Sequence, residues 1–408
     1  MYIKLIRGAK QIGGNIIEIG TDNTRLIFDA GTNLPPIDDS NYMDDISVEG
    51  LTCGKAGYDA VFISHHHGDH CGLVSRIVEG IPVYCGKETS EILEVIGDFI
   101  HSPLKCKFSI FSDKETVQCG DIKVTPILTK HSARDAYMFF IEADGKTVLY
   151  TGDFNDYSST AEYISDKHVN VLITEGTNIN TAERGYMPEI KDENDVRIRA
   201  EEICNEYDGT VFVLCSSANE ERVLAMKEAA SNTGRTDYED LFMASLRRQD
   251  DAKYKFIANF VKDDNVKEKY FNYYYSKRQL VGAETLAHTE GKKLLFVRQS
   301  MAPFISKYLS SLPERERNQQ HVLIYSIWNG YKRSAYAKRF LKEMSKLNID
   351  VVDLHCSGHA YGDTINQFVK IVSPDVLIPI HCEESDREIF NSIASNCYLS
   401  EDNEMYIV

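Results

Sequence analysis

The sequence predicts an α/β protein in which a β-rich sandwich is split by a separate unit of alternating strands and helices. Three observations carry that expectation. Residues 1–205 alternate short β-prone runs with turns, residues 206–350 repeat a strand followed by a helix, and residues 351–408 return to the first pattern. With 408 residues the chain exceeds the roughly 250–300 at which one core stops growing, so two domains, or one large interrupted domain, are expected.

In the first block the runs "NIIEIG", "RLIFDAG", "AVFIS", "IPVYCG", "IKVTPIL" and "VNVLITEG" read as strands, with few helices between them. "FFIEADGKTVLY" places Asp144-Gly145 between two β-prone segments, the signature of a tight hairpin. In the second block "GTVFVLCSS" feeds "ANEERVLAMKEAASNTGR", where Val223, Met226 and Ala230 recur at helical spacing and Gly234 supplies the stop. The same strand-then-helix order recurs in "KLLFVRQSMAPFISKYL" and "HVLIYSIWNGYKRSAYAKRFLKEM". Arg247 to Arg278 interleaves basic residues with aromatics, a pattern that suits gripping a single strand and suits still better a helix packing its own core.

Composition narrows the function classes. No run approaches the roughly 20 apolar residues that span a bilayer, and "MYIKLIRGAKQIGG" lacks the apolar stretch of a secretory signal. Ten scattered cysteines without a CxxC pair suit a reducing compartment, so a soluble cytoplasmic protein is expected. The net charge of −17 argues against a broad nonspecific grip on a polyanion. Nucleic-acid binding in such a chain requires a local basic surface or a metal site.

The stretch "FISHHHGDHCGL", residues 62–73, carries four histidines and an aspartate directly after a strand. His65 and His67, two apart, project to the same side of an extended chain, and Asp69 and His70 follow past Gly68. Imidazole nitrogen and carboxylate oxygen are what zinc or another borderline divalent ion accepts. Two such ions side by side would activate a hydroxide between them and clamp both oxygens of a displacement.

These residues resemble the HxHxDH signature of the metallo-β-lactamase fold. Its other signatures follow in order: "GAKQIGGNIIEI", "LIFDAG", "TKHSARDAYMFFI" with His131, and "LYTGDF" with Asp153. The resemblance implies an αββα sandwich in which His65, His67 and His131 hold one metal, Asp69, His70 and His381 a second, and Asp153 bridges the pair. His66 falls on a variable position and is expected to be structural, and Asp29 of "FDAG" to support the ligands or the fold. Cys71, Cys356 and Cys382, each beside a motif residue, are expected to be small buried fillers.

The middle block resembles the insertion of the β-CASP branch, which processes nucleic acids and includes ribonuclease J. The implied architecture is a metallo-β-lactamase domain at 1–205 and 351–408 with a β-CASP domain inserted at 206–350. Glu175 in "VLITEGT", His359 in "HCSGHA" and His381 in "IPIHCEE" fit that branch's motifs A, B and C. A histidine at motif C accompanies action on RNA, whereas several relatives acting on DNA carry valine there. The sequence runs 27 residues past His381, and the further C-terminal domain of ribonuclease J is not expected.

The expected activity is therefore RNA phosphodiester hydrolysis, endonucleolytic, 5′-exonucleolytic or both, by attack of a metal-bridging hydroxide in a cleft between the domains. Asp69, His359 and Glu175 are the expected catalytic side chains, His359 as general acid or charge stabiliser and Glu175 as the carboxylate that fixes its tautomer. His355, Ser357 and His359 are candidate contacts to a substrate phosphate. Zinc is the favoured ion with manganese the alternative, RNA the expected partner, no membrane is involved, and a homodimer stays open. Trp328, the only tryptophan, is expected to pack at a domain interface. The competing readings are a hydrolase of a small ester or phosphodiester on the same centre, and an inactive binding subunit, which would require broken ligands.

Overall fold

A computed structural model describes all residues except 35–43, 45, 103, 105, 182–188, 248–255, 258–265 and 274–279. It divides into two compact units, one made of Met1–Leu34, Met43–Met187 and Gly358–Val408, the other of Pro188–Ser357.

The first unit contains two sheets. One has seven strands in the order Met405–Ile407, Tyr2–Arg7, Ile16–Gly20, Arg25–Phe28, Ala60–Phe62, Val83–Cys85 and Phe108–Ile110. The other has six, in the order Val376–Ile380, Val171–Glu175, Lys146–Tyr150, Ala136–Ala143, Ile122–Thr129 and Val117–Cys119. Residues from the C-terminal block join both sheets, pairing Tyr2 with Ile407 and Glu175 with Ile380.

The central strands of both sheets are buried on both faces, which is why they read as nearly continuous apolar runs. In Ala136–Ala143, Tyr137, Phe139 and Ile141 enter the core shared with Leu26, Phe28, Ala60 and Phe62 of the other sheet. Met138 and Phe140, on the opposite face, pack with Ile164, Ile365 and Phe368 from the helices Ser158–Ile164 and Gly362–Val372. Ile27 and Val61 likewise face outward, towards Leu73 and Val74 and towards Leu93 of the helix Lys87–Phe99. The layers are therefore helix, sheet, sheet, helix, the αββα sandwich expected from the sequence. The hairpin at Asp144-Gly145 forms as the sequence predicts, with positive φ at both residues, 53° and 68°.

Among the described residues the second unit forms a sheet of seven strands whose pairings are all parallel, in the order Leu280–Val281, Phe256–Ile257, Thr236–Asp240, Lys293–Phe296, Val211–Cys215, His321–Ser326 and Ile349–Asp353. Phe212, Leu295 and Leu323 fill one face with the helices Ala302–Ser311 and Ala335–Lys346. Val213, Phe296 and Ile324 fill the other with Glu193–Glu206 and Glu220–Asn232. Asn219 caps the last of these by accepting from Arg222 N at 3.1 Å, and Gly234 follows it at φ 69°.

The units divide after 187 and 357, where the sequence suggested 205 and 350. Val196, Ala200, Ile203 and Cys204 pack into the second core, as do Leu354 and Cys356. The sequence reading broke the chain at composition shifts, whereas packing assigns the flanking helix and loop to the core that buries them. Trp328 differs from expectation more sharply: it is 55% exposed, outside the core, at the start of the turn Asn329–Arg333. The basic and aromatic segment from Arg247 to Arg278 lies mostly outside the described residues.

Phe139 is fully buried, with ring centroids 5.4 Å from Phe28, 5.9 Å from Phe62 and 5.7 Å from Phe111. Phe139→Ala is expected to cost about 3–5 kcal/mol of stability through the cavity it leaves, read as a lowered urea midpoint with an unchanged slope.

Candidate active site

The candidate site lies in the first unit, where the carboxyl ends of several strands reach one edge of the sandwich. Arg25–Phe28 leads into Asp29, Ala60–Phe62 into His65–His70, Ile122–Thr129 into His131, Lys146–Tyr150 into Asp153, and Val376–Ile380 into His381. Glu175 is the last residue of its own strand. Three of these turns need left-handed backbone: Asp29 at φ 60°, Gly152 at φ 52° and His381 at φ 48°. At Gly152 a side chain would also press on Ser64, with a Cβ 3.0 Å from that residue's Cβ.

Asp153 is the point of convergence. Its Oδ2 lies 3.7 Å from His65 Nε2, 3.1 Å from His70 Nε2, 3.8 Å from His131 Nε2 and 3.7 Å from His359 Nδ1. Its Oδ1 lies 3.8 Å from His381 Nε2. His65, His67, His131 and Asp153 each place one donor atom within 4.8 Å of the others, and so do Asp69, His70, Asp153 and His381. These are the two sets implied by the sequence resemblance, with Asp153 common to both.

The imidazoles are aimed by what holds their outer nitrogens. His70 Nδ1 lies 2.7 Å from Asp29 Oδ2, His65 Nδ1 3.0 Å from Ser64 Oγ, His131 Nδ1 2.7 Å from the Gly358 carbonyl, and His381 Nδ1 2.9 Å from Thr177 Oγ1. With Nδ1 carrying the proton in each, the Nε2 lone pairs point inward, as metal-binding histidines require. His65 Nε2, His70 Nε2 and Asp153 Oδ1 are buried without a hydrogen-bond partner among the described residues. Buried polar atoms of that kind are costly unless something else satisfies them, and a divalent cation does.

The electrostatics agree. Burial and the neighbouring histidines hold His65 and His131 well below the ordinary imidazole range, and burial brings His67 to about 4. These three imidazoles are neutral and available as ligands. His70 goes the other way: burial opposes its charge, but Asp153 and Asp29 overcome that and raise it well above the usual value. Asp69 and Asp153 are held below the carboxylate range, where the attraction of His381 and His70 outweighs the burial that opposes it. The pocket thus favours positive charge between its carboxylates.

A third group, Asp153, Glu175, His359 and His381, also has donor atoms within 4.8 Å of one another. Its chemistry is different, because both Glu175 oxygens are engaged: Oε1 accepts from Phe154 N at 2.9 Å and Oε2 pairs with His359 Nδ1 at 2.9 Å. Glu175 is fully buried and fixes His359 as a carboxylate fixes an orientable imidazole. Burial lowers His359, but Glu175 and Asp153 reverse this and push it up to about 9.

His66 is buried, held neutral by that burial, and outside all three groups. Burial raises the thiols of Cys71, Cys356 and Cys382, and no cysteine of the described residues joins a ligand group. His355 and Ser357 fall in the second unit, where His355 Nδ1 lies 3.2 Å from Arg222 Nη1. His359 alone of the three phosphate candidates shares a unit with the cluster.

Sequence reasoning missed Ser64, Tyr150 and Thr177. Ser64 and Tyr150 donate to Asp29, whereas Thr177 reaches both His381 and, at 3.3 Å, His359 Nδ1. The signal for Thr177 was its place two residues past Glu175 at a strand end. At Gly31 a Cβ would lie 1.7 Å from the Asp69 carbonyl oxygen, so the "FDAG" loop approaches the histidine loop backbone to backbone. Asn15 N to Asp69 O at 3.1 Å and Ala30 N to His70 O at 2.8 Å secure that approach.

Residues 24–206 match the Beta-lactamase superfamily domain. The chain is 22% identical to Ribonuclease J of Mycoplasma pneumoniae, covering 97% of this chain and 70% of that protein. Ribonuclease J of Mycoplasma genitalium is also 22% identical, with 96% and 69% covered. Over its whole length the fold is similar to a crystal structure of a protein of unknown function from Enterococcus faecalis, with a TM-score of 0.76, 21% identity and 99% of that chain covered.

Asp29→Asn keeps the shape of the side chain but weakens its hold on His70. It is expected to lower affinity for a divalent ion by about 10- to 100-fold, measured by metal titration, with the fold retained by circular dichroism.

Proposed function

We propose that this chain, a metal-dependent hydrolase with the metallo-β-lactamase fold, cleaves RNA phosphodiester bonds. The observation that carries the reading is the convergence on Asp153 of four imidazoles whose outer nitrogens are anchored. Similarity to proteins named Ribonuclease J over nearly the whole chain supports RNA as the polymer, and His381 at motif C agrees with it.

In this reading His65, His67 and His131 hold one divalent ion, Asp69, His70 and His381 hold the other, and Asp153 serves both. Bound there, two divalent ions would supply a nucleophilic hydroxide at neutral pH and positive charge against the phosphate oxygens. The imidazole-rich first set favours zinc, and the second, which adds the Asp69 carboxylate, also suits manganese.

The protein's own groups do the rest. Because Glu175 binds His359 through Nδ1, the Nε2–H is the proton His359 can offer to the leaving 3′-oxygen. Its raised pKa keeps it charged at neutral pH, so it can also attract the phosphate before it gives up that proton. Thr177, between His359 and His381, positions both rings. Phosphate contact by His355 and Ser357 belongs to this reading through their motif with His359, and Ser357→Ala tests it as a rise in KM.

The net charge of −17 favours a second reading, a hydrolase of a small ester or phosphodiester on the same centre. Both readings predict metal, and the substrate separates them. Zinc- or manganese-loaded protein is expected to hydrolyse 5′-labelled single-stranded RNA, and to stop when a chelator removes the metal. Asp69→Ala should lose metal and activity together, whereas His359→Ala should keep its metal and lose about 100- to 10,000-fold in kcat. Comparing 5′-monophosphate with 5′-triphosphate RNA reads out exonucleolytic entry. Fully metallated protein that leaves RNA intact but turns over a generic phosphodiester would sink the RNA reading.

A further inference from the structure

We infer that the face of the second unit formed by Trp328, Tyr331 and the helix Ala335–Lys346 is a docking surface for single-stranded RNA, its rings stacking on bases and its cations holding phosphates. The inference rests on the RNA reading above and adds a surface that contains none of the residues of the candidate active site.

Three observations converge on it. First, three aromatic rings within nine residues are open to solvent: Trp328 is 55% exposed, Tyr331 41% and Tyr336 41%. The helix's own packing does not use Tyr336, since it buries Ala337, Phe340 and Met344. Trp328 sits against its own turn, where a Cβ on Gly330 would fall 2.2 Å from the indole, and it meets Tyr331 edge-on with centroids 5.3 Å apart. The glycine lets one part of the indole rest on the backbone while the remainder faces water.

Second, the local charge opposes the global one. Residues 328–346 hold Lys332, Arg333, Lys338, Arg339, Lys342 and Lys346 against Glu343 alone, in a chain of net charge −17. A basic surface in an acidic protein is where a polyanion is accepted and other surfaces reject it. Third, the cations are arranged along the helix. Lys338, Lys342 and Lys346 recur every four residues on the exposed side, and the Arg339 guanidinium lies 5.6 Å from the Tyr336 ring. Lys346 is paired with Glu343 at 2.6 Å, and Lys332 with Asp353 while also lying 4.7 Å from the Tyr325 ring.

Rings beside cations are how single strands are held without sequence preference, because every base offers a face to stack on. A second copy of the chain is the other candidate occupant. The chemistry disfavours it, because two such faces would bring like charges together and interface cores are depleted in lysine.

Trp328 is the only tryptophan, so its fluorescence reports on this surface alone. Metal-loaded protein would be titrated with a phosphorothioate oligouridylate about 12 nucleotides long, chosen to resist hydrolysis. Saturable quenching is expected, weakened by salt. Trp328→Ala should loosen binding about tenfold, followed by anisotropy of a labelled strand. Reversing Lys338, Lys342 and Lys346 to Glu should flatten the log–log salt slope by about 2. Hydrolysis of a small generic phosphodiester should be unchanged in both variants, which shows that they fold. RNA bound and cleaved equally well by these variants would overturn this surface and leave the RNA reading standing. RNA neither bound nor cleaved by the unaltered protein would remove both. Fluorescence that changes with protein concentration in the absence of RNA would assign the face to self-association and overturn the inference.

Discussion

The candidate site depends on one buried carboxylate. Asp29 is inaccessible to solvent and accepts from Ser64 N at 2.7 Å, Ser64 Oγ at 2.9 Å and Tyr150 Oη, with His70 Nδ1 at 2.7 Å. A buried carboxylate is tolerable only with such a set of donors, and each donor is thereby fixed. Through Ser64 the constraint reaches His65, and through His70 it reaches Asp153. One side chain thus orients a histidine of each proposed ligand set, from opposite ends of the same loop.

The backbone stores the complement of that constraint. Asp29 and His381 adopt left-handed φ although neither is glycine, a conformation that costs such residues roughly 1–2 kcal/mol each. Both follow buried strands, so the sheet decides where the turn begins and the side chain's bonds decide where it ends. His381 N donates to Gly8 O at 3.0 Å, which ties the last ligand loop to the first. Strain at strand ends that aim ligands over the sheet is strain used for positioning.

The second unit follows different physics. Among the described residues its sheet pairings are all parallel, both faces are covered by helices, and the buried Arg222 is satisfied within the unit by Glu193, Ser326 and Cys356. Its exposed helix carries charge of the sign opposite to that of the whole chain. Net charge argues only against a broad nonspecific grip on a polyanion, and the distribution of that charge is what a local basic surface requires.

What the sequence determined was whatever local rules reach. Gly145 after Asp144 forces a hairpin, spacing of Val223, Met226 and Ala230 forces a helix, and His65, His67, Asp69 and His70 fall in one loop because six residues after a strand cannot disperse. The resemblance supplied His131, Asp153, Glu175, His359 and His381 as candidates, but spacing could not show that they meet. Asp69 and His381 are 312 positions apart and their facing atoms 3.2 Å apart, a proximity that needs Val376–Ile380 paired into one sheet, Ala60–Phe62 into the other, and the two sheets packed on a shared core. Ser64 and Tyr150 were not legible at all, and Thr177 only through its place just past Glu175, since a hydroxyl acquires its role from what folding places beside it. Trp328, expected at a domain interface, is 55% exposed, because how much of a large ring folding leaves in water is not set by its neighbours in the chain.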